Sequence, residues 1–249
     1  LIGSDAPAAD AEVLIMAVEA LTAAGVSGLT VDLTIPTLVP ALCEGLAVAA
    51  PASRHLRDAL DHKDASAVAL AAGGHASLFA ALVDAAGPAA DALERLGRLD
   101  LVSPAARELE RLAAVAARVS EAAPELDLTI DPVENRGFEY HCGVCFAIFA
   151  RAVRGELGRG GRYLAGPAAD EAATGVTLET ETVMRAVPDA ARARRLYAPH
   201  GTLVSGAKAL RAEGWTVIEG LTPAADPTVE AERLGCDHIL RDGAPIPLA

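Results

Sequence analysis

Residues 37–124 constrain the fold more than any other part of the sequence. They are rich in alanine and leucine, and their apolar residues keep a helical spacing with no strand pattern between them. Gly73-Gly74 and Ser103-Pro104 are among the pairs that divide this segment. The pattern predicts helices over residues 37–49, 53–61, 64–72, 75–86, 88–97 and 103–122. The pattern therefore predicts a helical bundle set between strand-forming regions.

Strand patterns flank this helical segment on both sides. A helix predicted over residues 5–25 precedes Leu29–Ile35, in which apolar and polar residues alternate as in a half-buried strand. Downstream we predict strands over residues 126–130, 138–150 and 172–180, a glycine-rich turn over 158–162 and a helical turn over 181–186. From residue 194 onward, short strands and helices alternate as β-α-β-α-β, which predicts a small parallel α/β unit.

These patterns predict three parts. Residues 1–50 and 125–190 would form a core, residues 51–124 a helical insertion, and residues 191–249 a small C-terminal α/β domain. The chain starts at Leu1 without a methionine or a signal peptide. We therefore expect it to be a fragment of a longer protein.

Composition excludes several classes of protein. Hydrophobic residues make up 52% of the chain, whereas disordered chains lack apolar surface to bury. The net charge of −13 argues against a surface that binds nucleic acid or anionic lipid as a whole, although a local basic site is compatible with it. We expect a cytoplasmic protein.

Two segments could suggest a membrane span or a metal site. Ala65–Val83 carries no charged residue and is nearly long enough to cross a membrane, but Gly73-Gly74 interrupts it, which favours a buried helical hairpin. Cys142 and Cys145 form a C-x-x-C pair without a second pair at zinc spacing. We interpret these cysteines as small buried hydrophobic residues, with metal or redox use as the less favoured alternative.

The residues with most chemical content lie between Asp131 and Phe146, just before a predicted buried strand. Arg136 offers a planar fork for a carboxylate or phosphate, and Gly137 leaves room for close approach. Tyr140 and His141 can hydrogen-bond a polar ligand. Taken alone, these residues fit a ligand site and a salt-bridged strand edge equally well.

The run Arg136-Gly-Phe-Glu-Tyr-His-Cys-Gly143 resembles the histidine-binding motif of histidyl-tRNA synthetase-like proteins, approximately Arg-Gly-Leu/Phe-Asp/Glu-Tyr-Tyr-Thr-Gly before an apolar strand. Gly160-Gly161-Arg162-Tyr163 resembles the family's next motif, and Asp10-Ala-Glu-Val13 resembles a segment that follows the second class II motif. The order agrees from residue 1 to about 187. The resemblance implies an α+β fold with a class II synthetase-like antiparallel sheet, truncated at its N-terminus, a helical insertion and a small C-terminal α/β unit.

The third class II motif separates two branches of this family. Synthetases carry Gly-x-x-x-Gly-x-Glu-Arg there, and the arginine holds the phosphate tail of ATP. This chain has Gly175-Val-Thr-Leu-Glu-Thr-Glu-Thr182, so Glu179 replaces the second glycine and Thr182 the arginine. A threonine cannot supply a bidentate positive fork, and a glutamate would repel the triphosphate. The motif therefore resembles an adenylation site that has been lost.

The resemblance is closer to the non-catalytic branch, the regulatory subunits of the short-form ATP phosphoribosyltransferase in histidine biosynthesis. It implies no catalytic residue, no cofactor, no metal, and no binding of nucleic acid or membrane. The implied partners are the catalytic phosphoribosyltransferase subunit in a hetero-oligomer, a second copy in the full-length protein, and L-histidine as feedback inhibitor. Effector-binding residues would be Arg136, Tyr140, His141 and Tyr163, and a loop of Gly137, Gly160, Gly161 and Arg162 would shape the pocket.

Two alternatives stay open at this point. The first is an active histidyl-tRNA synthetase, which would need a triphosphate-binding arginine where Thr182 stands. The second is an unrelated binding module, which gains weight if residues 126–163 do not form adjacent antiparallel strands around one cleft. His141 stands where the family usually has a second tyrosine, at the position that recognises the imidazole ring.

Overall fold

The computed structural model describes residues 1–134, 140–188 and 193–248, and the chain divides into two compact units, Leu1–Pro188 and Asp189–Ala249. In the first unit, helices and sheet share one hydrophobic core that includes residues of the predicted helical insertion. The division of the first unit into a core and an insertion at residues 51–124 stays a prediction.

The helices of the first unit agree with the helical periodicity to within a few residues. They are α1 (Pro7–Ala23), α2 (Leu38–Gly45), α3 (Ala50–Asp61), α4 (Ala65–Ala72), α5 (Ala76–Asp84), α6 (Ala89–Gly97), α7 (Ser103–Ala122) and α8 (Thr180–Ala186). In α1 the buried side chains of Val13, Leu14, Ala17, Val18 and Leu21 repeat at intervals of three and four, so one stripe of the helix faces the core.

The sheet of the first unit is mostly antiparallel, as the family resemblance implies. Its strands are β1 (Leu29–Thr34), β2 (Gly87–Pro88), β3 (Asp127–Asp131), β4 (His141–Ala150), β5 (Gly158–Ala165) and β6 (Glu171–Leu178), in the order β2-β3-β1-β4-β5-β6. Only β1 and β3 run parallel among these neighbours. Most residues of β4 are buried, so this long strand lies at the centre of the sheet.

Two predictions about strands are wrong. Residues 158–162 were predicted as a glycine-rich turn, but Gly158–Ala165 is strand β5, which pairs with β4 on one side and β6 on the other. Glycine disfavours strand structure, so β5 forms because it pairs with a strand on each side. Gly87–Pro88 forms β2 inside the segment predicted to lack strands, because it pairs with β3.

The segment without charges is a hairpin but not a buried one. Helices α4 and α5 pack against each other and are separated by a short 3-10 turn at Gly73–His75, where Gly73 has a φ of +54°. Residues 65–84 have the length and apolar character of a membrane span, but only 22% of the most apolar window is buried, and Leu70 is 87% exposed. Each of the two helices is far shorter than the roughly 20 residues that a span requires.

The second unit has the predicted β-α-β-α-β order with one further strand. Its elements are β7 (Arg195–Ala198), α9 (Val204–Ala212), β8 (Thr216–Glu219), α10 (Pro227–Arg233), β9 (His238–Arg241) and β10 (Ala244–Pro247). Strand β7 is parallel to β8 and β9, as predicted, and β10 adds an antiparallel edge to β9. Strand β10 was not predicted because two of its four residues are proline, which within sheets is confined largely to edge strands.

Candidate functional site

A cleft of about 590 Å³ lies over the strands β4, β5 and β6 of the first unit. Its lining consists of Tyr140, His141, Arg159, Gly160, Gly161, Tyr163, Gly175, Val176, Thr177 and Glu179. Three residues that were predicted to bind the effector, Tyr140, His141 and Tyr163, therefore meet in one place. Arg136 and Gly137, the other predicted residues of this motif, lie outside the described residues.

The strand pairing explains why these side chains meet. His141 of β4 lies opposite Tyr163 of β5, so both side chains point to the same face of the sheet. The Tyr140 ring lies 4.2 Å from the His141 ring and 6.2 Å from the Tyr163 ring, measured between centroids, and is nearly perpendicular to the latter. Tyr140 is 60% exposed, so this aromatic group opens to solvent.

Three glycines line the cleft at positions where the surrounding atoms leave no room for a side chain. A Cβ atom on Gly160 would come within 2.3 Å of the Gly175 carbonyl oxygen and 2.5 Å of the Phe146 ring. A Cβ atom on Gly161 would lie 2.8 Å from the Cys145 sulfur. The Tyr163 ring crosses Gly175, where a Cβ atom would lie 3.3 Å from a ring carbon. Close packing of the strands and of the Tyr163 ring therefore requires glycine at these positions.

The electrostatics of the cleft come from three side chains. Burial lowers the pKa of His141 below its ordinary value of 6.5, which favours the neutral imidazole at pH 7. Arg159 forms an ion pair with Glu156 at 2.5 Å. Glu179 is exposed at the rim, just before α8, and its side chain makes no capping hydrogen bond to that helix. The cleft thus combines phenols, a neutral imidazole and a carboxylate.

Arg162 does not belong to the cleft, although it was predicted to shape the pocket as part of a loop. Its side chain is 1% exposed and leaves the opposite face of β5 toward α1. There its guanidinium binds Asp10, with Nη2 at 2.8 Å from Oδ1 and Nε at 3.1 Å from Oδ2. Thr174 also donates to Asp10, at 2.6 Å. The prediction failed because a turn assigned to 158–162 removes the strand alternation that separates Arg162 from Tyr163.

Further contacts complete the network around Arg162. Its guanidinium donates to the carbonyl oxygens of Ser4 and Ala6 and reaches Asp5 at 3.1 Å. Arg111 of α7 binds Asp5 at 2.7 Å and lies 3.6 Å from Asp10. A buried charge with this many partners is a structural element that ties β5 to α1 and α7.

The residues that resemble the third class II motif lie along one wall of the cleft and beyond it. Gly175 is in β6, and Glu179 follows the strand with its backbone N–H bonded to the Leu157 carbonyl oxygen at 2.8 Å. Thr182 lies in the first turns of α8 with its side chain buried, and Arg185 donates to its hydroxyl at 3.2 Å. Thr182 itself supplies no positive charge to the cleft.

The two neighbouring cysteines are protonated at neutral pH. Burial raises the pKa of Cys145 to about 12 and raises the pKa of Cys142. Both thiols are free. Within residues 1–134, 140–188 and 193–248, no group of three or more His, Cys, Asp or Glu residues is arranged to hold a metal ion.

No sequence motif identifies Arg159 and Thr177 as lining residues, and Glu179 is identified only by its place in the segment that resembles the third class II motif. If residues 158–162 are assigned to a strand, alternation from Tyr163 places Arg159 on the cleft face. The same alternation from Gly175 places Thr177 and Glu179 on that face. Strands β4 and β5 are adjacent and antiparallel, and they border one cleft. An unrelated binding module would have been favoured only without this arrangement.

Comparison with known proteins places this geometry in a family. The sequence model described as histidyl-tRNA synthetase matches residues 1–183. The chain is 52% identical over 240 residues to the ATP phosphoribosyltransferase regulatory subunit of Paramagnetospirillum magneticum, covering 96% of this chain and 63% of that protein. The chain thus spans less than two thirds of the length of that relative.

Two solved structures share the fold. One is an ATP phosphoribosyltransferase regulatory subunit/histidyl-tRNA synthetase from Bacillus halodurans, with a TM-score of 0.74 and 21% identity, covering 96% of this chain and 66% of that one. The other is an ATP phosphoribosyl transferase complex from Thermotoga maritima, with a TM-score of 0.59 and 17% identity, covering 71% and 63%. At these identities the similarity concerns the fold.

Proposed function

The chain belongs to the histidyl-tRNA synthetase family, and from this premise we propose that it is part of a non-catalytic regulatory subunit of ATP phosphoribosyltransferase. The proposed subunit activates the catalytic phosphoribosyltransferase and conveys inhibition by histidine. The whole protein would work in the cytoplasm, with the catalytic subunit as partner in a hetero-oligomer and a second copy of itself in a dimer.

One observation carries this proposal: three aromatic side chains meet in the cleft, while position 182 carries a buried threonine where synthetases use a phosphate-binding arginine. Tyr140, His141 and Tyr163 lie together in this cleft, and an aromatic group of this kind suits an amino acid with a planar ring. Along the adjoining wall, Glu179 and the buried Thr182 stand where synthetases use glycine and arginine. Binding of an amino acid without adenylation is the activity that this combination favours.

The names of similar proteins support the same function. The Paramagnetospirillum magneticum relative, at 52% identity, is named as a regulatory subunit of ATP phosphoribosyltransferase. The Thermotoga maritima structure is a complex of ATP phosphoribosyl transferase, and the fold it shares with this chain supports the catalytic subunit as partner. Histidine is the ligand we propose for the cleft, with Arg136 near the carboxylate and with His141 and Tyr163 near the imidazole ring.

Two assays test the proposal with the full-length protein that contains this chain. We expect the protein to copurify with the catalytic subunit and raise its phosphoribosyl transfer, and we expect histidine to inhibit the mixture. In the second assay, histidine-dependent exchange of pyrophosphate into ATP should stay at background. Exchange well above background would establish a synthetase instead, and a catalytic subunit that neither binds nor responds would overturn the regulatory function.

A further inference from the structure

Strand β4 contains a bulge next to the residues that form the aromatic group. Cys145 of β4 lies opposite Gly161 of β5, and His141 lies opposite Tyr163. Three residues of β4 therefore stand between these two pairs, whereas Arg162 alone stands between them on β5. An insertion of this kind bends a strand and re-aims its side chains.

The bulge decides which residue of β4 meets Tyr163. If the register at Cys145 continued without a break, Gly143 would lie opposite Tyr163. His141 would then lie opposite Ala165, about 7 Å farther along the strand. The extra residues of β4 therefore bring His141 into the aromatic group.

Arg162 lies against this bulge with the aliphatic part of its side chain. A Cβ atom on Gly143 would come within 2.9 Å of the Arg162 Cδ atom and 3.2 Å of its Cβ atom. Gly143 therefore faces the buried side of β5, and not the cleft side that an unbroken register would give it. The Cys145 thiol donates to the Gly143 carbonyl oxygen at 3.6 Å, which is a further contact within the bulge.

The support for this end of β4 comes from the β5 side. Strand β1 pairs with β4 from Cys145 to Ala150, so that pairing ends where the bulge begins. Across from the bulge, the guanidinium of Arg162 lies 2.8 Å from Asp10 and donates to two backbone carbonyl oxygens of the segment before α1. A buried side chain that is fixed at its charged end in this way keeps its aliphatic part in place.

From this geometry we propose that Arg162, a residue outside the cleft, positions His141 for ligand binding by supporting the β4 bulge at Gly143. The guanidinium is the anchor, the aliphatic part is the support, and the bulge places His141 opposite Tyr163. The effect on histidine binding rests on the proposed function, whereas the placement of His141 is a property of the protein without ligand.

The first test crowds the bulge from the β4 side. Gly143→Ala places a methyl group where the aliphatic part of Arg162 lies, so the bulge has to move. The matched control is Gly45→Ala in α2, whose Cβ atom would lie 2.4 Å from a methyl carbon of Val102. This control crowds a packed contact in the same unit without involving β4 or β5.

NMR of the full-length protein with isotope-labelled histidine reports the surroundings of the His141 ring without ligand, and loss of a signal in His141→Gln identifies that ring. Burial keeps the pKa of His141 below 6.5 in the wild type. We expect this pKa to move toward 6.5 in Gly143→Ala and to stay unchanged in Gly45→Ala. An unchanged pKa in Gly143→Ala would overturn the proposal, and so would an equal shift in the control.

The second test changes Arg162 itself. Arg162→Lys keeps a long aliphatic chain and a positive charge, whereas Arg162→Ala removes both. In calorimetry with L-histidine, Arg162→Ala and Gly143→Ala should bind about tenfold more weakly than the wild type, and Arg162→Lys and Gly45→Ala within about twofold of it. Equal losses in Arg162→Lys and Arg162→Ala would overturn the role of the aliphatic part. Gly143→Ala carries the test if Arg162→Ala does not fold.

This proposal and the proposed function fail in different ways. If the pKa of His141 responds to Gly143→Ala but the wild type binds no histidine, the placement of His141 by Arg162 stands and histidine is not the ligand of the cleft. If histidine inhibits the catalytic subunit equally through the wild type and through Gly143→Ala, the regulatory function stands and the role of Arg162 in binding is wrong.

Discussion

The two faces of strand β5 differ in how their polar side chains are surrounded: those on one face are buried, and those on the other open to solvent. On the face toward α1, Arg162 is fully buried and its guanidinium binds Asp10 and several carbonyl oxygens. On the other face, Tyr163 points into an open cleft whose rim carries the exposed Glu179. Neighbouring residues of one motif, Arg162 and Tyr163, thus have different surroundings.

This difference separates a structural charge from one available to a ligand. A buried ion pair with complete hydrogen bonding holds elements together, and removal of one partner leaves an uncompensated charge in the interior. An exposed carboxylate contributes little to stability and can pair with a ligand. Substitutions on the α1 face should therefore act mainly on folding, and substitutions on the cleft face should act mainly on binding.

The largest effect should come from Arg162→Met. It leaves Asp10 buried without its main partner, and we expect the free energy of unfolding to fall by about 3–5 kcal/mol. Urea unfolding followed by circular dichroism measures the loss. Arg98→Met, which removes an exposed i,i+4 pair with Glu94, should change stability by less than about 0.5 kcal/mol.

A second substitution checks the cause of that loss. Asp10→Leu combined with Arg162→Met removes both charges, and we expect it to be more stable than Arg162→Met alone. A double variant that is less stable than the single one would contradict the importance of the buried charge.

The next largest effect should come from Gly160→Ala, because the added methyl group has no room between β5 and its neighbours. Its Cβ atom would meet the Gly175 carbonyl oxygen and the Phe146 ring, so the strands must move apart, at a cost of about 1–3 kcal/mol. Gly97→Ala, at the end of α6, meets no atom within 4 Å. The control should stay within about 0.5 kcal/mol of the wild type in the same unfolding experiment, and equal losses in both variants would refute the packing argument.

The next effect should come from Tyr163→Ala and should be mainly on ligand binding. Removal of the ring takes away one wall of the aromatic group, and we expect histidine to bind roughly tenfold more weakly. Leu164→Ala alters the next residue of β5, which does not line the cleft, and should leave histidine affinity unchanged. Calorimetry measures the histidine affinity of both variants. A loss of affinity in Leu164→Ala alone would show that histidine binds elsewhere.

The smallest effect concerns His141 and pH. Because burial lowers the pKa of His141 in the folded chain, the unfolded chain binds a proton more readily just below pH 6.5. Stability from this group is therefore present above pH 6.5 and is lost as the pH falls below it. We expect His141→Gln to lose less stability than the wild type between neutral and mildly acidic pH, and parallel pH profiles would exclude this contribution.

The sequence predicted elements best where periodicity is strong. The helices α3 to α7 agree with the spacing of alanine and leucine between glycine and proline breaks, and β1 agrees with its alternation. Prediction failed at β5, β2 and β10, which are rich in glycine or proline and form strands because a neighbouring strand supplies the hydrogen bonds. The exposure of the α4–α5 hairpin was also missed, because apolar composition alone does not say what covers it.

The candidate site was predicted only in part, because its geometry also depends on the pairing of strands. Tyr140, His141 and Tyr163 follow from a motif whose chemistry is visible in the residue types, and the structure brings them to one cleft. Glu179 was recognised as a departure from the third motif, but its place at the rim of that same cleft depends on the pairing of β5 with β6. Arg162 was misplaced because a one-residue step along a strand reverses the face to which a side chain points.

The amino-acid sequence by itself determined most helical and strand-forming segments, the order of the motifs and the presence of threonine at position 182, because these depend on spacing and side-chain chemistry along the chain. Only the tertiary structure decided that residues 158–165 form a strand, that Arg162 pairs with Asp10, and that Glu179 lines the same cleft as Tyr163. The physical reason is that the hydrogen-bond partners of a glycine-rich strand, and hence the face of each side chain, come from segments distant in sequence.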